Sequence, residues 1–319
     1  MRMPRIIGFI LLTALAAAVS AQTQETLPFT LKPLGHGVYA AIDDAKGDAG
    51  ANAGFVIGED GVLVVDTFEN AKAARALFAE IRKLTPLPIK FVVNTHYHLD
   101  HVAGNGVFKS AGAVIIAQIY VADWIHTENQ KFLGKDIKPE QRHMIESLAG
   151  PDVLYPQELA LSLGKRRVVI GRVLGHTGGD TIVAIPDAHI YFFGDLFWRK
   201  TLPNLIDATV ADWLGLKKAV PVNRVDMEAN IFVPGHGDVG TFADVEEFVG
   251  YLSDIEAWVR EALNQGKNGD ELVAAVMPQL KEKYGKWDLF DYFAKSNIKD
   301  IAAELKGQKR VPNFSPPKS

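Results

Sequence analysis

Four imidazole or carboxylate side chains fall within six positions in His96-Tyr97-His98-Leu99-Asp100-His101. In an extended segment, side chains two apart point to the same side, so His96 and His98 can reach one ion together. Asp100 and His101 follow where the chain turns into the next helix, and can aim at a second ion. Three further candidates stand beside glycines: His176 in Leu174-Gly175-His176-Thr177-Gly178-Gly179-Asp180, Asp195 in Phe193-Gly194-Asp195, and His236 in Pro234-Gly235-His236-Gly237. Imidazole and carboxylate are donors that zinc accepts with tetrahedral or five-coordinate geometry. A lone His or Asp at a strand end is usually a capped turn or a satisfied polar group. The density of the first group and the repeated context of the others favour a metal site.

Each candidate comes just after an apolar run. The runs before them, Ile89 to Val93, Arg167 to Leu174, Ile190 to Phe193 and Ile231 to Val233, read as strands. In open α/β sheets ligands gather beyond the carboxyl ends of the strands, so the pattern predicts separate strands delivering these residues to one pocket. Other expected strands are Phe55 to Ile57 and Val62 to Val65, joined through Glu59-Asp60-Gly61, then Ala113 to Ala117, Leu159 to Leu163 and Thr181 to Ile185. Helices are expected over Asn70 to Leu84, Val102 to Ser110 and within Val210 to Val220. Ile119 to Gly150 reads as helical, with breaks at Gly134 and Pro139. Phe242 to Leu263, Asp270 to Tyr284 and Leu289 to Leu305 form a helical C-terminal extension, about 242–306, and Gln308 to Ser319 reads as a loose tail. The fold class is α/β.

Residues 1–21 are expected to be a secretory signal peptide. Arg2 and Arg5 precede an apolar run from Ile6 to Val19, and Val19-Ser20-Ala21 offers small residues for cleavage after Ala21. The run is shorter than the ~20 apolar residues that span a bilayer. The expected mature chain, 22–319, is therefore secreted or periplasmic, with no membrane association after cleavage. Without Arg2 and Arg5 its 34 basic residues fall to 32 against 38 acidic ones, a net charge of −6 with histidine neutral. Such a surface disfavours nucleic acid as a partner and points to a small-molecule substrate. There is no cysteine, so the exported fold must rest on its core and not on disulfides.

Taken together, these motifs resemble the metallo-β-lactamase superfamily, specifically members with an H-x-H-x-D-H motif and a bridging aspartate, as in glyoxalase II. The resemblance covers roughly Leu27 to Val249. It implies a four-layer αβ/βα sandwich with the metals in a cleft at one edge of two facing sheets. It further implies that His96, His98 and His176 bind a first zinc ion, that Asp100, His101 and His236 bind a second, and that Asp195 bridges the two. Asp66, in Val64-Val65-Asp66-Thr67, matches a strand-end aspartate that supports the site. Two such ions would lower the pKa of a shared water and give a hydroxide nucleophile, with Asp100 both ligating and orienting it.

Departures from the pattern narrow the reading. Two subclasses of dedicated β-lactamases place a cysteine where this chain has Asp195, and the third normally lacks the bridging aspartate. The expected activity is hydrolysis of cyclic amides or esters such as β-lactams or lactones. Rival expectations are an iron-dependent oxidoreductase of the persulfide dioxygenase type and a non-catalytic periplasmic metal-binding or relay protein. Arg199, Lys200 and Asn204 are candidates for binding a substrate carboxylate, and Trp124, Trp198 and Trp213 for an apolar pocket or the core. His36, His126, His143 and His189 are expected to be structural or surface residues.

Overall fold

The computed structural model describes residues 26–43, 46–134, 136–216 and 229–312. The expected signal peptide lies outside these residues, as do the end of the helix expected within Val210 to Val220 and the tail from residue 313. A first sheet follows chain order, from β1 (Phe29–Gly35) through β2 (Val38–Asp43), β3 (Ala53–Ile57), β4 (Val62–Val65), β5 (Ile89–Val93) and β6 (Val114–Gln118) to β7 (Val153–Tyr155). Its pairs are antiparallel as far as β4 and parallel from β4 to β7. A second sheet holds β8 (Glu158–Leu163), β9 (Arg166–Val173), β10 (Asp180–Ile185), β11 (Ile190–Trp198) and β12 (Ile231–His236). Only its β11–β12 pair is parallel.

Alternation of apolar side chains along the strands makes the layers. Leu63 and Val65 of β4 face an inter-sheet core with Val183 and Ile185 of β10 and Ile190 and Phe192 of β11. The alternate residues Val62 and Val64 face a second core under helices α1 (Ala71–Leu84) and α3 (Asn105–Ser110). On the far side, Ile182, Ala184, Tyr191 and Phe193 pack against the C-terminal helices Phe242–Asn264, Gly269–Tyr284 and Phe290–Leu305. The result is a helix–sheet–sheet–helix sandwich, in which a fully buried Leu or Ile contributes on the order of 2 kcal/mol.

Local signals set several boundaries. The Asn70 side chain accepts from Ala73 N at 2.9 Å and starts α1. Thr85, extended before Pro86, ends it. A single helix was expected over Val102 to Ser110, but the chain forms α2 (Leu99–Val102) and α3, parted by Ala103 and Gly104. A Cβ on Gly104 would lie 2.1 Å from Thr67 O, so this junction is pressed against the β4–α1 connection. Gly134 and Pro139 do interrupt the 119–150 stretch: Gly134 has φ 84 and Pro139 opens the helix Pro139–Glu146. The strands carrying Asp195 and His236 run further than expected, so these residues sit within β11 and at the end of β12 and not in the turns beyond. Among the described residues, no helix is long and apolar enough to cross a membrane.

Candidate metal centre

All seven residues singled out as ligands meet at one end of the two sheets. Ligand atoms of His96, His98, His176 and Asp195 lie within 4.8 Å of one another, and those of Asp100, His101 and His236 form a second such group. Asp195 joins them. Its Oδ2 lies 3.1 Å from His176 Nε2 and 3.7 Å from His96 Nε2, while its Oδ1 lies 3.0 Å from His101 Nε2 and 3.5 Å from His236 Nε2. One carboxylate thus offers an oxygen to each group. Asp100 Oδ2 is 3.3 Å from His236 Nε2, and its side chain keeps an open face toward the cavity.

For three of the rings, the hydrogen bond on the outer nitrogen fixes which nitrogen points inward. Asp66 Oδ2 accepts from Thr95 Oγ1 at 2.7 Å and from His101 Nδ1 at 2.8 Å. With its proton given to Asp66, Thr95 Oγ1 accepts from His96 Nδ1 at 3.1 Å. His96 and His101 therefore both turn Nε2 to the centre, the nitrogen left to ligate once any proton on it is displaced, an orientation assigned from this network. His98 is the reverse: its Nε2 donates to Asp207 Oδ2 at 3.0 Å, which turns Nδ1 inward. There it meets His176 Nε2 at 3.0 Å. His96 Nε2, His101 Nε2, His236 Nε2 and Asp195 Oδ1 are buried with no hydrogen-bond partner of good geometry among the described residues. So many buried ligand atoms converging on one space are costly unless protons or a cation lie between them, and this donor set of imidazoles and carboxylates suits a divalent metal.

Charge balance agrees. Burial alone would raise the Asp195 carboxyl, but His101, His236 and His176 hold it well below the usual range. Burial lowers His96 and His98, and neighbouring rings add to the effect, so both are neutral. His236 is pushed up to about 9: burial works against this, and Asp195 and Asp100 outweigh it. Two glycines make the approach possible. A Cβ on Gly235 would fall 1.9 Å from Asp195 Oδ1, and Gly194, at φ 49, would bring one to 2.4 Å from Thr95 Oγ1.

Asp66 stands where the resemblance put it, and it reaches His96 through Thr95. Arg199 and Lys200, considered for a substrate carboxylate, turn away to Asp244 at 3.0 Å and Glu247 at 2.5 Å on the helix Phe242–Asn264. Asn204 does line the cavity. Trp198 lines it as well, stacked on His236 with ring centroids 3.9 Å apart, whereas Trp124 packs on Tyr97 and Trp213 on His176. His36, His126, His143 and His189 belong to neither group. Asp207 was missed, along with Tyr97 and Lys131. Tyr97 Oη and Lys131 Nζ donate to its carboxylate at 2.5 and 2.6 Å. Nothing in the local sequence marks Asp207. The only available signal was the general need of a metal-facing His for an acceptor on its other nitrogen.

The layered sandwich and the clustered imidazoles and carboxylates define a protein with a candidate metal centre at one end of its two sheets. The sequence profile of the Metallo-beta-lactamase superfamily matches residues 47–274, and the chain belongs to that family. It is 25% identical over 276 residues to a linear primary-alkylsulfatase of Pseudomonas sp. (strain ATCC 19151), covering 71% of this chain and 51% of that protein. It is 25% identical over 175 residues to a hydroxyacylglutathione hydrolase of Erythrobacter litoralis, covering 53% of this chain and 60% of that one. The chain thus spans half to three-fifths of the length of these relatives. A metallo-beta-lactamase from Pontibacter korlensis superposes with a TM-score of 0.56 at 20% identity, over 70% of this chain and 99% of that one, and shares the fold.

Proposed function

We propose that this chain is a dinuclear zinc hydrolase acting on carbonyl substrates, with strained cyclic esters and amides, lactones and β-lactams, as the substrate class. The observation that carries this reading is Asp195, whose two oxygens are divided between the two ligand groups. His96, His98 and His176 would hold one ion, and Asp100, His101 and His236 the other, with Asp195 touching both. When bound, two zinc ions supply Lewis acidity to a carbonyl oxygen and acidify water near neutral pH. The residues do the rest. Asp66 and Asp207 hold three rings in their ligating orientations. Asp100, the acid with an open face, orients the attacking water and accepts its proton. Asn204 and Trp198 line the space in which the carbonyl must lie.

Asp100, His101 and His236 also form a two-histidine, one-carboxylate set of the kind that holds iron in oxygenases, which keeps an iron-dependent oxidoreductase as the second reading. A hydrolysis screen of the zinc-loaded protein across lactones, β-lactams, thioesters and phosphodiesters tests the proposal, with His96→Ala as the control. Turnover of a lactone or β-lactam above that control is expected. Rapid phosphodiester cleavage without carbonyl hydrolysis would overturn the substrate class. Export is proposed on the same footing, and a mature chain beginning at Gln22 by mass spectrometry is its test.

A further inference from the structure

The cavity above the ligand groups has a volume of about 560 Å³, and its walls are not what a carboxylate-bearing substrate requires. Phe132 and Leu133 line it, together with Leu289, Tyr292 and Phe293 of the C-terminal extension. Phe132, Leu289 and Tyr292 are exposed to the extent of 37%, 45% and 76%, a concentration of open apolar surface at the one place where a substrate must enter. Rings continue from this opening down to the ligands. Tyr292 meets Phe293 at 4.7 Å, Phe293 meets Trp198 at 6.3 Å, and Trp198 stacks on His236. At the other ligand group, Phe132 sets its ring edge-on to His98 at 4.9 Å.

The wall is fixed in place. Asp288 N donates to Lys200 O at 2.8 Å and Leu202 N donates to Asp288 O at 2.9 Å, tying the extension to the chain that leaves β11. Leu289 then takes a left-handed conformation, φ 58, which a leucine's Cβ disfavours. Strain of this kind persists where surrounding contacts impose it, and at sites of function.

Charge points the same way. Among the described residues, the lining includes no Lys or Arg, and it includes Asp43 and Glu69. Lys131, next to Phe132, is engaged by Asp207 and Glu128. Lys32 and Lys46 line an adjoining groove.

We propose that the C-terminal extension is the specificity element: Leu289, Tyr292 and Phe293, together with Phe132 and Leu133, bind an uncharged apolar tail. Neutral esters and lactones bearing alkyl or aryl chains are then preferred to carboxylate-bearing β-lactams. This rests on the hydrolase reading, and two measurements separate the two claims. In the first, kcat/KM of the zinc-loaded protein is measured for lactones and p-nitrophenyl esters of increasing chain length and for benzylpenicillin. Values should rise at least about twofold per added methylene, short of the roughly fourfold that full burial gives. The penicillin should fall below the longest neutral ester. The double variant Phe132→Ser/Tyr292→Ser, checked for an unchanged circular dichroism spectrum, should lose most of the chain-length dependence. In the second, n-alkanols and n-alkanoates are titrated against the same proteins by tryptophan fluorescence. Alkanols should bind more tightly with length, in a way the double variant lacks. Chain-length-dependent alkanol binding without any hydrolysis would sink the hydrolase reading and leave the apolar site standing. A flat series in both measurements, or a penicillin hydrolysed tenfold faster than every neutral ester, would overturn the apolar site itself.

Discussion

Asp207 Oδ2 accepts a hydrogen bond from His98 Nε2 at 3.0 Å, across 109 residues of sequence, and thereby decides which nitrogen of that ring faces the metal centre. The carboxylate is anchored on its other side by Lys131 Nζ at 2.6 Å. Burial alone would raise its pKa, but the bonds from His98 and Lys131 hold it well below the ordinary range. Loss of such a partner typically costs about 10–100-fold in metal affinity or activity. Asp207→Ala should show a loss of that order in zinc affinity at the three-histidine group by competition with a chelating dye. Wild-type affinity and kcat in the variant would show that His98 is oriented by its packing alone.

The tight approach of β12 to β11 gives a second expectation. Because a Cβ on Gly235 would fall 1.9 Å from Asp195 Oδ1, Gly235→Ala must displace the carboxylate shared by the two groups. Asp195→Ala removes that carboxylate outright. Both variants should bind less than the full metal complement, losing the ion at Asp100, His101 and His236 first, with kcat down by several orders of magnitude. Full activity in Gly235→Ala would mean that Asp195 does not hold the position assigned to it.

Protonation of the metal-free centre sets a pH dependence. His236 has a folded-state pKa of about 9, and His101 is raised well above its ordinary value because Asp195, Asp100 and Asp66 outweigh its burial. A raised histidine stabilises the fold fully below its unfolded pKa near 6.5 and loses that contribution as pH climbs through the folded value. Chelator-treated protein should therefore melt at a lower temperature at pH 9 than at pH 6.5. Zinc affinity should rise over the same interval, since the metal displaces those protons. A melting temperature that rises toward pH 9 in the metal-free protein would refute this charge assignment.

The residues of the centre were legible because their chemistry is dense and local. His96, His98, Asp100 and His101 share one turn, and the glycines beside His176, Asp195 and His236 mark where backbone and ligand must approach closely. The central strands were legible through uninterrupted apolar runs such as Ile89 to Val93. β1, with Lys32, Pro33 and Gly35, and the three-residue edge strand β7 lack such runs and were not read. Asp207 was invisible for a different reason: its partners are Tyr97, His98 and Lys131, and only tertiary packing brings them together. The role of Leu289 and Tyr292 was equally hidden, because an apolar residue at a helix start looks the same whether it faces a core or an open cavity.

The central claim is that one carboxylate joins two zinc sites, and metal stoichiometry tests it most directly. Elemental analysis of protein purified without added metal, paired with oxygen-electrode readings during turnover, should find close to two zinc ions per chain and no oxygen uptake. A single ion per chain, or iron as the dominant metal with oxygen consumed, would contradict it.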